Sequence, residues 1–262
     1  MSYMIVMGAG AAPGVPSLCK GWGDCDPDNK YNLRRRSGTY YNFNGTKIIV
    51  DTSPDLRFQL LEYNIRELDA VLYTHVHADH LHGIDDLREI NRIGRCNINF
   101  YTTKPVLDEI RERFGYLLSN PNEVKDVIKC ASLVANEVEC EKAFNVKDVN
   151  IVPIKLGGHN VPSFGYVFNE GEIVHIADFK YFPESTLDYL RKIKIKTLIA
   201  PLTTPKGETY HVGLEELMLY VKEIAPEKVI LNHMASECDY NKINEMTPDN
   251  VFPAFEGMNV EL

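Results

Sequence analysis

Short apolar runs recur along the chain between clusters of Gly, Pro, Asn, Asp and Ser, and stretches with helical spacing lie between them. Tyr3–Met7 reads as a first strand, and the small-residue stretch after it as a turn-rich loop. That stretch lacks the basic leader of a secretory signal, and Pro13 together with a late third Gly departs from a dinucleotide-binding fingerprint. Beyond a loop reaching about Arg36, Thr39–Phe43 and Lys47–Val50 alternate around Asn44-Gly45, a pair suited to a hairpin turn. Ser53-Pro54-Asp55 predicts an N-cap with proline at the first helical position, opening a helix through Leu56, Leu60 and Leu61. Leu68–Tyr73 predicts a buried strand that runs straight into THVHADHLHGIDDLREI, whose later half has the helical spacing of Leu81, Ile84, Leu87 and Ile90.

Strands follow near Ile98–Tyr101, Glu137–Val146, Ile151–Leu156, Gly165–Phe168, Ile173–Ile176, Thr197–Ala200 and Val229–Leu231, with helices over Val106–Leu118, Glu184–Lys192 and Leu214–Ile224. Runs of neighbouring strands with interspersed helices predict an α/β chain of sheets packed together with helices outside, rather than a parallel doubly wound sheet. No repeat or linker-like tract divides it, so one domain over 1–262 is expected.

With 44% hydrophobic and 25% charged residues the composition is that of a globular protein, and no apolar run approaches the ~20 residues of a membrane span. A formal charge of −9 argues against a broad electrostatic grip on nucleic acid and hence against a large RNA partner. Six scattered cysteines, Cys19, Cys25, Cys96, Cys130, Cys140 and Cys238, fit no disulfide framework and favour a reducing, cytoplasmic setting.

The chemistry concentrates at the junction after Leu68–Tyr73. His75 and His77 project to one side of an extended strand end, and the turn into the helix brings Asp79 and His80 around the same space. Imidazoles with a carboxylate suit Zn²⁺, Mn²⁺ or Fe²⁺, whereas Ca²⁺ asks for oxygen alone. A random HxH pair would be an exposed loop; three His and one Asp within six positions predict a metal site. Downstream, His159 follows IVPIKL, Asp178 follows IVHI and His233 follows KVIL, each at a strand end. Taken singly, each would be a surface or capping residue.

The block THVHADHLHG resembles the HxHxDH motif of the metallo-β-lactamase superfamily, whose fold is an αββα sandwich that usually carries a two-metal hydrolytic site. The resemblance implies that His159, Asp178 and His233 are the single His, the bridging Asp and the final His of that site. It narrows further. Gly14-Val15-Pro16, His159 with Ser163-Phe164-Gly165-Tyr166, Asp178 before Pro183, His211 with Leu214, VILNH and AFEGMNV resemble the PhnP-type cyclic phosphodiesterases, which act notably on phosphoribosyl 1,2-cyclic phosphate.

From that resemblance follow two divalent ions, Zn²⁺, Mn²⁺ or Fe²⁺. His75, His77 and His159 would hold one, Asp79, His80 and His233 the other, and Asp178 would bridge them. The implied reaction is attack of a metal-bridged hydroxide on a small cyclic phosphodiester, phosphoribosyl or nucleotide, at a site that stays cationic in an acidic protein. Asp79 and His211 are the candidate catalytic residues, His211 as general acid to the leaving alkoxide, and Asp51 is a candidate orienting residue behind the metals. His82 and His175 are read as structural. Arg34-Arg35-Arg36 is weighed as a phosphate clamp against a solvated charged loop, and the solvated loop is preferred. A homodimer is compatible with the sequence.

One departure concerns the relatives' cysteine-rich knuckle, C-x-C-x-x-C, which with a later His holds a structural zinc. Only Cys19 and Cys25 lie in the corresponding loop, and Ser236 stands at the His position. Cys238 would have to join them to rebuild a zinc site, and reduced thiols are the expectation. Three other functions compete. A tRNA 3′-end endonuclease shares the metal motif, but the nineteen positions from His159 to Asp178 leave no room for a tRNA-gripping arm. A thioester hydrolase would append a helical domain, whereas fewer than thirty residues follow His233. The last is a non-catalytic metal-binding module or a cofactor-maturation relative with a similar GxP opening.

Overall fold

The computed structural model describes residues 1–262. The first half of the chain forms β1 (Tyr3–Gly8), β2 (Gly38–Phe43), β3 (Thr46–Val50), β4 (Ala70–Leu72), β5 (Ile98–Thr103) and β6 (Leu133–Val138), with α1 (Leu56–Glu62), α2 (Ala78–Leu81), α3 (Leu87–Gly94) and α4 (Lys104–Phe114). The second half forms β7 (Phe144–Val146), β8 (Val149–Leu156), β9 (Ser163–Phe168), β10 (Ile173–His175), β11 (Thr197–Pro201), β12 (Lys228–Asn232) and β13 (Val251–Pro253), with α5 (Glu184–Leu190), α6 (Leu214–Ile224) and α7 (Tyr240–Met246). A last strand, β14 (Asn259–Glu261), returns to pair antiparallel with β1.

Two seven-stranded mixed sheets result, ordered β14-β1-β2-β3-β4-β5-β6 and β13-β12-β11-β10-β9-β8-β7. In the first, pairing is antiparallel as far as β3 and parallel from β3 to β6. In the second it is antiparallel from β7 to β10 and parallel from β10 to β13. Strands buried on both faces carry unbroken apolar runs, and the period of two deals their side chains to opposite sides. Thus Ile48, Val50, Ala70 and Leu72 enter the core between the sheets, with Tyr166, Phe168, Ile173 and Ile199 from the second sheet. Ile49, Val71 and Tyr73 point the other way, against Leu56, Leu87, Leu107 and Ile110 of α1, α3 and α4. Leu187, Leu217 and Val221 of α5 and α6 add to the core of the second sheet. This is the αββα sandwich expected from the sequence. No helix is long and apolar enough to cross a membrane.

Two local expectations are corrected, while the helix start expected at Ser53-Pro54 holds. Ser53 Oγ accepts from Asp55 N–H at 3.3 Å and the Ser53 carbonyl from Leu56 N–H at 2.9 Å, and α1 runs on from Leu56. The Asp55 carboxylate accepts from the guanidinium of Arg36 at 2.9 and 2.7 Å. The strand expected over Glu137–Val146 is two strands in different sheets, β6 and β7. Between them the chain turns at Glu139–Lys142, with Glu141 in the left-handed region at φ 62° and Lys142 N–H donating to Glu139 C=O at 3.2 Å. Helix α7 and the strands β13 and β14 lie in a polar C-terminal stretch where no element was expected. The Asn44-Gly45 hairpin forms with both residues at positive φ, 50° and 103°.

Candidate metal centre and cleft

The two sheets meet the site at the ends of their strands. Asp51 and His233 follow directly on β3 and β12, and both adopt left-handed backbone, at φ 63° and 55°. Non-glycine residues rarely accept that conformation, and its concentration at two such strand ends marks positions fixed by their surroundings. After β4 the chain stays extended through His75, and His77 caps the short helix α2, which carries Asp79 and His80. His159 sits on the β8–β9 loop, Asp178 after β10, and His211 between β11 and α6. The loop before His211 is folded tightly on itself. A side chain at Gly207 would place its Cβ 2.6 Å from the backbone nitrogen of Gly213, so both positions suit only glycine.

The structure brings all seven residues singled out as metal candidates together, in two groups. His75, His77, His159 and Asp178 offer atoms that lie within 4.8 Å of one another, and so do Asp79, His80 and His233. Asp178 reaches both: Oδ2 is 3.9 Å from His75 Nε2 and 3.8 Å from His80 Nε2, and Oδ1 is 3.4 Å from His233 Nδ1. Asp79 Oδ2 lies 3.3 Å from His80 Nε2 and 3.1 Å from His233 Nε2.

The surrounding hydrogen bonds decide which ring nitrogens are free. Asp51 accepts from Thr74 N–H at 2.9 Å, from the Thr74 hydroxyl at 2.7 Å and from His80 Nδ1 at 2.7 Å. With its hydroxyl proton given to Asp51, Thr74 accepts from His75 Nδ1 at 3.0 Å. His159 Nδ1 donates to the Tyr210 carbonyl at 3.2 Å. Each of these three imidazoles therefore keeps its Nε2 lone pair for the cluster. His75 Nε2, His80 Nε2 and Asp178 Oδ1 are buried without a hydrogen-bond partner, and His159 Nε2 faces His77 Nδ1 at 3.1 Å. Buried unpartnered polar atoms cost about 1–3 kcal/mol each, and a divalent cation satisfies this donor set of imidazoles and carboxylates.

At His75, His77 and His159 the charges agree with that geometry. Burial and the neighbouring imidazoles hold His75 well below its ordinary value, and burial lowers His77 and brings His159 down to about 4. Burial opposes the charge on His80, but Asp79 and Asp51 outweigh it and raise this imidazole. Asp178 is held well below the carboxylate range against its own burial, by His233 and His211. His211 lies with Nε2 3.4 Å from Asp178 and Nδ1 3.3 Å from Glu208. Burial pulls it down, yet the hydrogen bond to Asp178 and the charges of Asp178 and Glu208 leave it raised.

Beside the cluster opens a cavity of about 340 Å³, lined by His77, Asp79, Asp178, His211 and His233 together with Lys20, Glu208 and Glu237. Those three residues, and Thr203 at 3.1 Å from His233 Nδ1, were not singled out from the sequence. They are isolated polar positions on loops, and no spacing marks them.

Other candidates lie elsewhere. His82 is exposed against Phe114, and His175 is buried with Nδ1 2.8 Å from the Tyr41 hydroxyl. The three arginines do not form a clamp, nor is their loop simply solvated. Arg34 is 2% exposed and donates to Asn32 Oδ1 at 3.1 Å, to the Ala235 carbonyl at 3.4 Å and to Cys25 Sγ at 3.8 Å. Arg35 pairs with Glu62 and Glu256, and Arg36 with Asp55. Cys19 is exposed at the cleft, while Cys25 and Cys238 are buried and free. The guanidinium of Arg34 occupies the space beside Cys25, and Cys238 donates its thiol proton toward the carbonyls of Leu202 and Thr203, at 3.4 and 3.5 Å. The cysteines are thus not gathered as a zinc donor set.

Comparison with known proteins places this geometry in a family. The chain is 28% identical over 257 residues to an octanoyltransferase of Porphyromonas gingivalis, covering 97% of this chain but spanning only 50% of that protein. It is 25% identical over 197 residues to the anti-Pycsar protein Apyc1 of a Paenibacillus species, covering 72% of this chain and 76% of that one. Among solved structures, a diphosphatase of the PhnP family superposes with a TM-score of 0.88 at 23% identity, over 100% of this chain and 98% of the other. The beta-lactamase superfamily domain matches residues 46–234, which include six of the seven clustered positions on β-strand ends and loops as well as the His233 that completes them. A match over that much of the sequence, on two mixed sheets flanked by helices, makes this chain a member of the metallo-β-lactamase superfamily.

Proposed function

We propose that the protein is a metal-dependent phosphodiesterase that hydrolyses a small cyclic phosphodiester, phosphoribosyl or nucleotide. The observation that carries this reading is the convergence of seven His and Asp side chains, the unpartnered Nε2 atoms of His75 and His80 among them, beside a cavity lined by His77, Asp79, Asp178, His233 and His211. The likeness of fold to a PhnP-family diphosphatase supports it.

His75, His77 and His159 would hold one divalent cation, and Asp79, His80 and His233 a second, with Asp178 reaching both groups. Such cations, Zn²⁺, Mn²⁺ or Fe²⁺, supply Lewis-acid polarisation of a phosphoryl oxygen and acidify water at neutral pH. In the hydrolysis, water gives up a proton to solvent as its oxygen bonds to phosphorus, one P–O bond of the ring breaks, and the departing alkoxide takes a proton. His211 supplies that proton: both its ring nitrogens face carboxylates, which favours the protonated ring, and it stands at the cavity wall. Asp51 acts through its neighbours, fixing the tautomer of His80 directly and that of His75 through Thr74. Six free thiols support a reducing, cytoplasmic setting.

A second reading is hydrolysis of an acyl thioester, favoured by the match to half of an octanoyltransferase. Assay of bis(p-nitrophenyl) phosphate, a nucleoside 2′,3′-cyclic phosphate, an octanoyl thioester and a pre-tRNA, each with added Mn²⁺ or Zn²⁺, separates the readings. Turnover of both phosphodiesters with an intact thioester and tRNA is expected. Thioester turnover alone would replace the phosphodiesterase reading, and no turnover of any substrate would leave a metal-binding module.

A further inference from the structure

Resting on the metal-dependent phosphodiesterase reading, we propose that Tyr181 is a positioning residue for His159: its ring lies on the backbone of Gly157 and Gly158 and holds the loop that presents this imidazole in register with Asp178. Little else fixes that loop. Residues 158–162 make no backbone hydrogen bond. Within its group His159 is only half-buried, whereas His75 and Asp178 are buried. The hydrogen bond from His159 Nδ1 to the Tyr210 carbonyl orients the imidazole and leaves the backbone behind it unfixed.

Gly157, just past the end of β8, supplies the anchor. Its N–H donates to the Tyr181 carbonyl at 3.0 Å, and its carbonyl accepts from Lys180 N–H at 2.8 Å and from Tyr181 N–H at 3.1 Å. Lys180 and Tyr181 lie two and three residues past Asp178, and the Phe179 carbonyl accepts from Val212 N–H at 2.9 Å, beside His211. The loops carrying His159, Asp178 and His211 are thus joined at Phe179–Tyr181. A shift of Tyr181 passes to His159 through two glycines only, the most pliable link a backbone can have.

The side chain of Tyr181 stiffens that link. A Cβ at Gly157 would fall within 2.8 Å of three carbons of its ring, and one at Gly158 would lie 2.9 Å from two more and 2.5 Å from Lys180 Cβ. The ring therefore covers both glycines, while the residue as a whole is 52% exposed and belongs to neither apolar core. Its packing is local to this loop, made of dispersion contacts between a flat ring and bare peptide. Gly158 also has φ 77°, where a side chain is strained; Gly157 has no such restriction, and only the ring stands over it. A metal-binding imidazole must be held within a fraction of an ångström, so the ring that fixes its loop acts on affinity without touching the ion.

The test reads metal binding rather than turnover. The full chain, stripped with a chelator, is titrated with Zn²⁺ by calorimetry beside His159→Ala, which marks the binding step that depends on His75, His77 and His159. Tyr181→Ala is expected to weaken that step by about tenfold to a hundredfold, the usual range for a support behind a metal ligand, and to leave the other step unchanged. Tyr181→Phe should keep wild-type affinity, because the contacts run through ring carbons. Gly157→Ala should weaken the same step by pushing the ring aside, and should add nothing in the Tyr181→Ala background, where no ring remains to be pushed. Equal weakening of both steps, no weakening in either single variant, or a Tyr181→Phe protein as weak as Tyr181→Ala overturns the proposal. Gly157→Ala acts from the other side of the contact and keeps the test should Tyr181→Ala fail to fold. Hydrolysis of bis(p-nitrophenyl) phosphate is measured separately: two normal zinc steps without turnover overturn the phosphodiesterase reading alone, and a wild type that binds no zinc overturns both.

Discussion

Asp178 holds the most exacting position among the clustered residues, since its two oxygens reach side chains of both groups. Asp178→Asn keeps the volume but halves the acceptor capacity and removes the charge. It is expected to lower bound metal from two ions per chain to one or none and to abolish most phosphodiesterase activity, as read by elemental analysis beside an aryl diester assay. Retention of both ions at full activity would place the linking role elsewhere. His211 is separable from the metal positions through the leaving group. His211→Ala should lose about 10²–10⁴-fold on a cyclic ribose phosphodiester, whose alkoxide needs a proton, and far less on a p-nitrophenyl ester, whose phenolate does not. Equal losses on the two would make His211 a binding residue. These positions were legible because the density of THVHADHLHG set a frame in which single His and Asp residues at later strand ends could be read. Thr74 and Thr203 were not, since a threonine that hydrogen-bonds an imidazole has the same sequence appearance as any other threonine.

Among the elements, the long loop between β1 and β2 depends on one side chain. Arg34 is buried with its two terminal nitrogens donating to Asn32, the Ala235 carbonyl and Cys25, so it ties that loop to the segment after β12. A lysine cannot reproduce the planar fork, and Arg34→Lys is expected to cost about 2–4 kcal/mol in urea unfolding. Cys25→Ser should cost much less, with metal content unchanged; loss of a zinc ion together with a collapse in stability would show that the thiols hold metal after all. The Arg36–Asp55 pair, which ties the β1–β2 loop to the start of α1, adds a pH dependence. Burial raises the Asp55 carboxyl, but its hydrogen bonds with Arg36 outweigh that and leave it lowered. A carboxyl lowered by folding contributes stability above its unfolded value of about 3.9 and loses it as pH falls through the folded value. The stability gap between wild type and Asp55→Asn should therefore be full at pH 7 and close toward pH 3.

Where local chemistry sets a boundary the sequence showed it: Ser53 caps the turn that opens α1 by accepting from Asp55 N–H. Central strands such as Ile48–Val50 and Ala70–Leu72 were plain because burial on both faces demands continuous apolar runs. β13 and β14 have three residues each and alternate only weakly, so their existence is decided by the strand they pair with.

For the molecule as a whole, the apolar core between the sheets is continuous and does not pass through the His and Asp cluster. Chelation is expected to leave a cooperative melting transition, lowered by several degrees because bound metal stabilises the folded state by mass action, and to abolish hydrolysis until metal returns. Loss of the transition on chelation would mean that the cluster, rather than the core, holds the sheets together.

The pairing of Tyr3 with Glu261 closes the first sheet with the two ends of the described chain side by side. A bridge of a few residues would turn the backbone into a ring, which could be reopened at the exposed stretch 120–125 where no helix or strand runs. The cleft lies near the other end of β1: Gly8 leads into Ala11 and Ala12 on its wall, about 17 Å along the strand from Tyr3. Tags, surfaces or partner domains joined at either terminus would accordingly leave from one edge and keep the mouth of the cleft clear, a practical geometry for tethering the protein or permuting it.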